Sequence, residues 1–128
     1  EIICQNVYSV PLGFHTSGKS YEQFGEIMKD NCCEAFDRWL EDIDHEGVPI
    51  KPVYSLKKDL SYGEIIRKTA EKYDVNGIIV GAKGRSSSSS LFMSSTAEDL
   101  IRNIDYLPLT IVRPKGVTAG IISSLREL

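Results

Sequence analysis

Short runs rich in β-branched residues alternate along this chain with longer stretches in which apolar residues recur every three or four positions. Ile2–Val10 (IICQNVYSV) predicts a strand by its β-branched and aromatic content, and Pro11–Lys19 a loop. Ser20-Tyr21-Glu22-Gln23 fits a capping box, in which a Ser hydroxyl and a Glu or Gln three residues later each satisfy the other's backbone N–H. The helix it opens carries Phe24, Ile27, Met28, Cys32, Phe36, Trp39, Leu40 and Ile43 on one stripe, with Gly47 as its stop. Val48–Ser55 alternates weakly and contains Pro49 and Pro52, which predicts an edge strand, because proline has no N–H to give a ladder. A second box, Ser61-Tyr62-Gly63-Glu64, opens a helix lined by Ile65, Ile66, Thr69, Ala70 and Tyr73. Gly77–Val80 reads as a buried strand and Leu109–Val112 as a last, short one. Between them, Ser95-Thr96-Ala97-Glu98 predicts the start of a helix whose apolar face is Ala97, Leu100, Ile101 and Ile104.

The order βαβαβαβ predicts an α/β fold with a mostly parallel sheet and right-handed crossovers. A chain of 128 residues holds one domain with a single core, here residues 1–115, followed by a tail or linker at 116–128. A net charge of −3 leaves no basic footprint for nucleic acid or an anionic membrane. No apolar run reaches the ~20 residues of a membrane helix. Three cysteines, two of them adjacent, are no disulfide framework and predict a reducing, cytoplasmic setting.

Chemistry concentrates after Gly77–Val80. Gly81-Ala82-Lys83-Gly84, Arg85 and the serine run Ser86–Ser90 form a loop of small residues between a strand's carboxyl end and a helix's amino end. Glycines let backbone approach a ligand closely, and the unpaired N–H groups of a first helical turn attract an anion. The residues therefore point to an anion site, and a phosphate of a nucleotide is the natural occupant. Plainer readings stand beside this one. The glycines also suit a tight turn, Lys83 a solvated surface, and Ser95 a cap and nothing more.

The same loop resembles the nucleotide loop of the universal stress proteins: Gly, two residues, Gly, nine residues, then Gly followed by Ser or Thr. Gly81, Gly84 and Ser95 match that spacing, and Ser94 stands where the family has glycine. IIVGAKGR and PLTIVRP resemble the family's flanking strands. The resemblance implies a three-layer α/β fold with helices on both faces of the sheet, here without the family's first strand and helix. Those carry a central strand and an Asp that helps to hold nucleotide. It further implies binding of ATP or a related adenine nucleotide, with or without Mg²⁺, in a regulatory role under stress. The contacts would come from the backbone of Gly81, Gly84, Ser94, Ser95 and Thr96, from Arg85 nearby, and from main-chain atoms of Val7 at the adenine. It implies a binding module rather than an enzyme, with at most slow ATP hydrolysis. Its partners would be a second copy, paired through Thr110-Ile111-Val112, or the rest of a tandem or larger chain. Since Ser94 adds a side chain beside the phosphates, a regulatory or dimerisation module without nucleotide is the second reading.

A third reading comes from Gly13-Phe14-His15-Thr16-Ser17-Gly18-Lys19-Ser20, which fits the P-loop pattern between a strand and a helix. Against it, Pro11 and Leu12 part the strand from Gly13, and no later strand ends in an Asp for Mg²⁺. His15 and His45 lack partners at metal-ligand spacing. Cys32 falls on the apolar stripe as a small core residue, and Cys33, about 100° around the helix, predicts a partly exposed thiol.

Overall fold

The computed structural model describes residues 1–82 and 94–113. They form four strands and three α-helices: β1 (Ile2–Tyr8), α1 (Tyr21–Asp42), β2 (Ile50–Leu56), α2 (Tyr62–Lys72), β3 (Ile78–Gly81), α3 (Ser95–Asn103) and β4 (Leu109–Val112). A single 3₁₀ turn, Phe14–Ser17, precedes α1. The fold is α/β, and both strand pairings are parallel, β1 with β2 and β3 with β4. The single sheet expected from the sequence therefore appears, among the described residues, as two two-stranded ladders. The chain divides accordingly into two compact units, Glu1–Leu60 and Ser61–Leu128. No helix among the described residues is long and apolar enough to cross a membrane.

In the first unit, α1 packs on the β1–β2 ladder. Its capping box forms as predicted: Ser20 Oγ accepts from Gln23 N–H at 3.1 Å and Gln23 Oε1 accepts from Ser20 N–H at 2.9 Å. The helix stops at Asp42, five residues short of the predicted Gly47. Asp44 takes over there, its carboxylate accepting from Glu46 N–H at 3.0 Å, and Glu46 and Gly47 turn the chain with positive φ. Phe24, Met28, Cys32, Phe36, Leu40 and Ile43 are half-buried as the stripe predicts, while Ile27 and Trp39 at its margins are exposed. A two-stranded ladder is too narrow to cover so wide a stripe. Gly25 is the one buried residue of α1.

Register explains the prolines of β2. Ile2 N–H donates to Pro49 O at 2.9 Å and Lys57 N–H to Tyr8 O at 2.7 Å. Parallel strands alternate such bonds, so Ile2, Cys4, Asn6 and Tyr8 direct their main-chain groups at β2, and Ile3, Gln5 and Val7 direct theirs away. On β2 the residue opposite Cys4 is Pro52, and its missing N–H falls on the side away from β1. β2 is thus the edge strand that its prolines predict.

The six buried hydrophobic residues among those described, Ile65, Ala70, Ala82, Ala97, Leu100 and Ile104, all belong to the second unit. α2 packs against α3, and the α2 capping box of Ser61 and Glu64 forms as predicted. In the β3–β4 ladder Ile78, Val80, Leu109 and Ile111 are half-buried, whereas Ile79, Gly81, Thr110 and Val112 on the opposite face are exposed. Ile79, expected inside a buried strand, is 76% exposed.

Candidate functional site

The carboxyl end of β3 is tied directly to the amino end of α3. Gly81 pairs with Val112 at the end of the ladder. The next residue, Ala82, donates its N–H to Val112 O at 2.8 Å, and Ala82 O accepts from Ser94 N–H at 2.6 Å. Ala82 and Ser94 therefore meet at one point, between a strand end and a helix start. That closure rests on Ala82, which is 2% exposed. Sequence reasoning passed over it, since an alanine between two glycines looks like loop; its apolar side chain beside Gly81 was the available signal.

Ser94, not Ser95, is the cap of α3. Its hydroxyl accepts from Ala97 N–H at 3.2 Å, and its carbonyl accepts the first intrahelical bond from Glu98 N–H at 3.1 Å. The predicted box shifts by one residue, and Glu98 pairs instead with Arg102 at 3.8 Å on the next turn. Ser94 has φ −64° and ψ 154°, ordinary extended backbone. The position where the resembling loop has glycine is here occupied by a conformation that any residue adopts.

Of the predicted contacts, Gly81, Ser94, Ser95 and Thr96 come together in the second unit. Ser95 and Thr96 open the helix, where backbone N–H groups have no intrahelical acceptor, and the helix dipole adds partial positive charge there. A Cβ built on Gly81 would meet nothing within 4 Å among the described residues, so their packing does not require glycine there. First-turn N–H groups of this kind can donate to a phosphate. Gly84 and Arg85, with Lys83 and Ser86–Ser90, lie outside the described residues. Val7 belongs to the first unit, one residue before the end of β1, and its main-chain N–H and C=O point away from β2. Among the described residues no cluster of three or more His, Cys, Asp and Glu could hold a metal ion.

The P-loop pattern folds differently. Phe14 N–H donates to Pro11 O, Thr16 N–H to Gly13 O, Gly18 N–H to His15 O, Lys19 N–H to Ser17 Oγ, and Ser20 N–H to Gln23 Oε1. The hydroxyl of Ser20 is spent on capping α1. A phosphate cradle needs those N–H groups turned outward on one anion. Here they close the loop on itself.

Comparison with known proteins points to one family. The universal stress protein family matches residues 34–113, well over half of the chain. A universal stress protein of Methanocaldococcus jannaschii is 27% identical over 120 residues, which span 91% of this chain and 72% of that protein. No solved structure matches the chain. With a parallel α/β fold, a glycine strand end meeting a capped helix start, and a family match across both units, the chain belongs to the universal stress protein family.

Proposed function

We propose that this chain is a nucleotide-binding regulatory domain of the stress response, taking ATP or a related adenine nucleotide. The observation that supports the reading is the junction at Ala82 and Ser94. It brings the strand end at Gly81 and Ala82 next to the helix start at Ser94, whose first turn carries the N–H groups of Ser95 and Thr96. Phosphate oxygens would accept from those N–H groups, and Ser94, whose hydroxyl already serves Ala97, would contribute backbone and not a new hydroxyl. Gly84 and Arg85 would complete the phosphate side. The chain would act by binding, with hydrolysis slow or absent, as a homodimer or within a larger chain.

Backbone amide shifts in a ¹⁵N-labelled sample titrated with Mg·ATP test this site by site. The amides of Ser95 and Thr96 should move in a saturable way while those of Phe14–Lys19 stay in place. Movement confined to Gly13–Ser20 would favour the P-loop reading. The absence of any shift at millimolar nucleotide would favour a regulatory module that works without nucleotide.

A further inference from the structure

Away from the nucleotide loop, the first unit gathers two thiols at one place. Cys32 and Cys33 are consecutive on α1, neither is in a disulfide, and both are half-buried. Successive helical residues point about 100° apart, yet here both reach the sheet, because α1 contacts both strands of the ladder. Cys32 Sγ lies 3.8 Å from Asn6 Oδ1 on β1. Cys33 lies near enough to the Tyr54 hydroxyl on β2 to raise its pKa. Asn6 and Tyr54 are register partners, and paired strands lie about 4.8 Å apart. Each thiol thus neighbours one member of a single cross-strand pair.

Chemistry narrows what such a pair can do. Adjacent Cα atoms are about 3.8 Å apart, below the roughly 4.4–6.8 Å that a disulfide spans. The helix therefore keeps the thiols from closing on each other. Zinc is excluded as well, since a structural zinc site needs about four ligands and no cluster of three or more ligating groups stands among the described residues. What fits is a thiophilic centre satisfied by two sulfurs.

We propose that Cys32 and Cys33 form a dithiol site for trivalent arsenic. An arsenical R–As=O reacts with both thiols: two As–S bonds form, the As=O bond breaks, and its oxygen leaves as water with the two thiol protons. No atom changes oxidation state. Loss of the Cys33 thiol proton changes the surroundings of the neighbouring Tyr54 hydroxyl, so the phenol reports binding.

Phenylarsine oxide is the probe, titrated into the full chain with thiols counted by a chromogenic disulfide reagent and tyrosine absorbance followed near 295 nm. One equivalent should protect two of the three cysteines and shift the tyrosine absorbance. A small dithiol should release the arsenical where a monothiol at the same concentration does not. Cys32→Ser and Cys33→Ser should each weaken binding at least a hundredfold, and Cys4→Ser should leave it unchanged, with circular dichroism confirming the fold. Full-strength binding by either single variant, dependence on Cys4, or no stoichiometric binding by the wild type would overturn the proposal.

Discussion

The carboxylate of Asp99, on α3, accepts a hydrogen bond from the backbone N–H of Gly63 at 2.6 Å, joining two helices across 36 positions of sequence. Asn103 reinforces it, donating to Asp99 Oδ1 at 2.9 Å and to Asp99 O at 2.8 Å. Gly63 lies in the first turn of α2, so Asp99 satisfies from outside the helix an N–H that the helix cannot satisfy itself. The approach is close enough that a Cβ on Gly63 would lie 2.7 Å from Asp99 Oδ2 and 2.9 Å from Asn103 Nδ2.

Gly63→Ala therefore sets two effects against each other. Alanine is the better helix former by about 1 kcal/mol, but overpacking against a fixed carboxylate costs about 1–3 kcal/mol, and the hydrogen bond is strained besides. The clash should win, with a net loss of about 1–2 kcal/mol in urea unfolding. A stabilised Gly63→Ala would contradict this contact.

The same contact makes stability depend on acid. The Gly63 hydrogen bond, helped by Ser61, nearby Arg102 and Asn103, holds the Asp99 carboxyl below its ordinary range, against an opposing effect of burial. A carboxyl lowered in the folded state contributes stability that is complete above its unfolded pKa, about 3.9, and is lost as pH falls through the folded value. Wild type should thus lose stability relative to Asp99→Asn as pH drops below about 4. Parallel pH profiles of the two proteins would contradict the assignment.

Tyr54 gives the opposite dependence. Burial, then the hydrogen bond with Cys33 and the nearby groups of Cys33, Asp37 and Cys32, pushes its phenol up to about 12. A group raised in the folded state contributes stability that is complete below its unfolded pKa, about 10, and is lost as pH climbs through the folded value. Absorbance titration should show a late phase near 12 that Tyr54→Phe removes. A Tyr54 that ionises with the exposed tyrosines would refute its burial against Cys33.

Capping of α3 separates two adjacent serines. Ser94→Ala should cost about 1 kcal/mol and Ser94→Gly a few tenths, because only Ser94 accepts from Ala97 N–H. Ser95→Ala should be near neutral in thermal unfolding. The reverse ranking would restore the cap to Ser95.

These serines show what the sequence made legible. Capping boxes at Ser20 and Ser61 could be read because each closes within four residues. At α3 two consecutive hydroxyls satisfied the same local rule, and the bond from Ser94 N–H to Ala82 O selected the earlier one. The parallel order was readable from the alternation of strands and helices. The exposure of Ile79 was not, since a β-branched run looks the same whether one face is covered or both. Gly63 was read only as part of a box; its need for glycine comes from Asp99, which no local pattern links to it. Of the candidate site, the strand end and helix start were legible from glycines and caps. The closure at Ala82 needed the structure.

The most direct test of a nucleotide site at the start of α3 is calorimetric titration of Mg·ATP into wild type, Gly81→Val and Lys19→Ala. A Cβ at Gly81 meets no neighbour within 4 Å among the described residues, so Gly81→Val should keep the fold while adding bulk at the strand end proposed for phosphate. Wild type and Lys19→Ala should show saturable one-to-one binding, and Gly81→Val at least a tenfold loss. Binding that survives in Gly81→Val and vanishes in Lys19→Ala would contradict it and move the nucleotide to the Gly13–Ser20 loop.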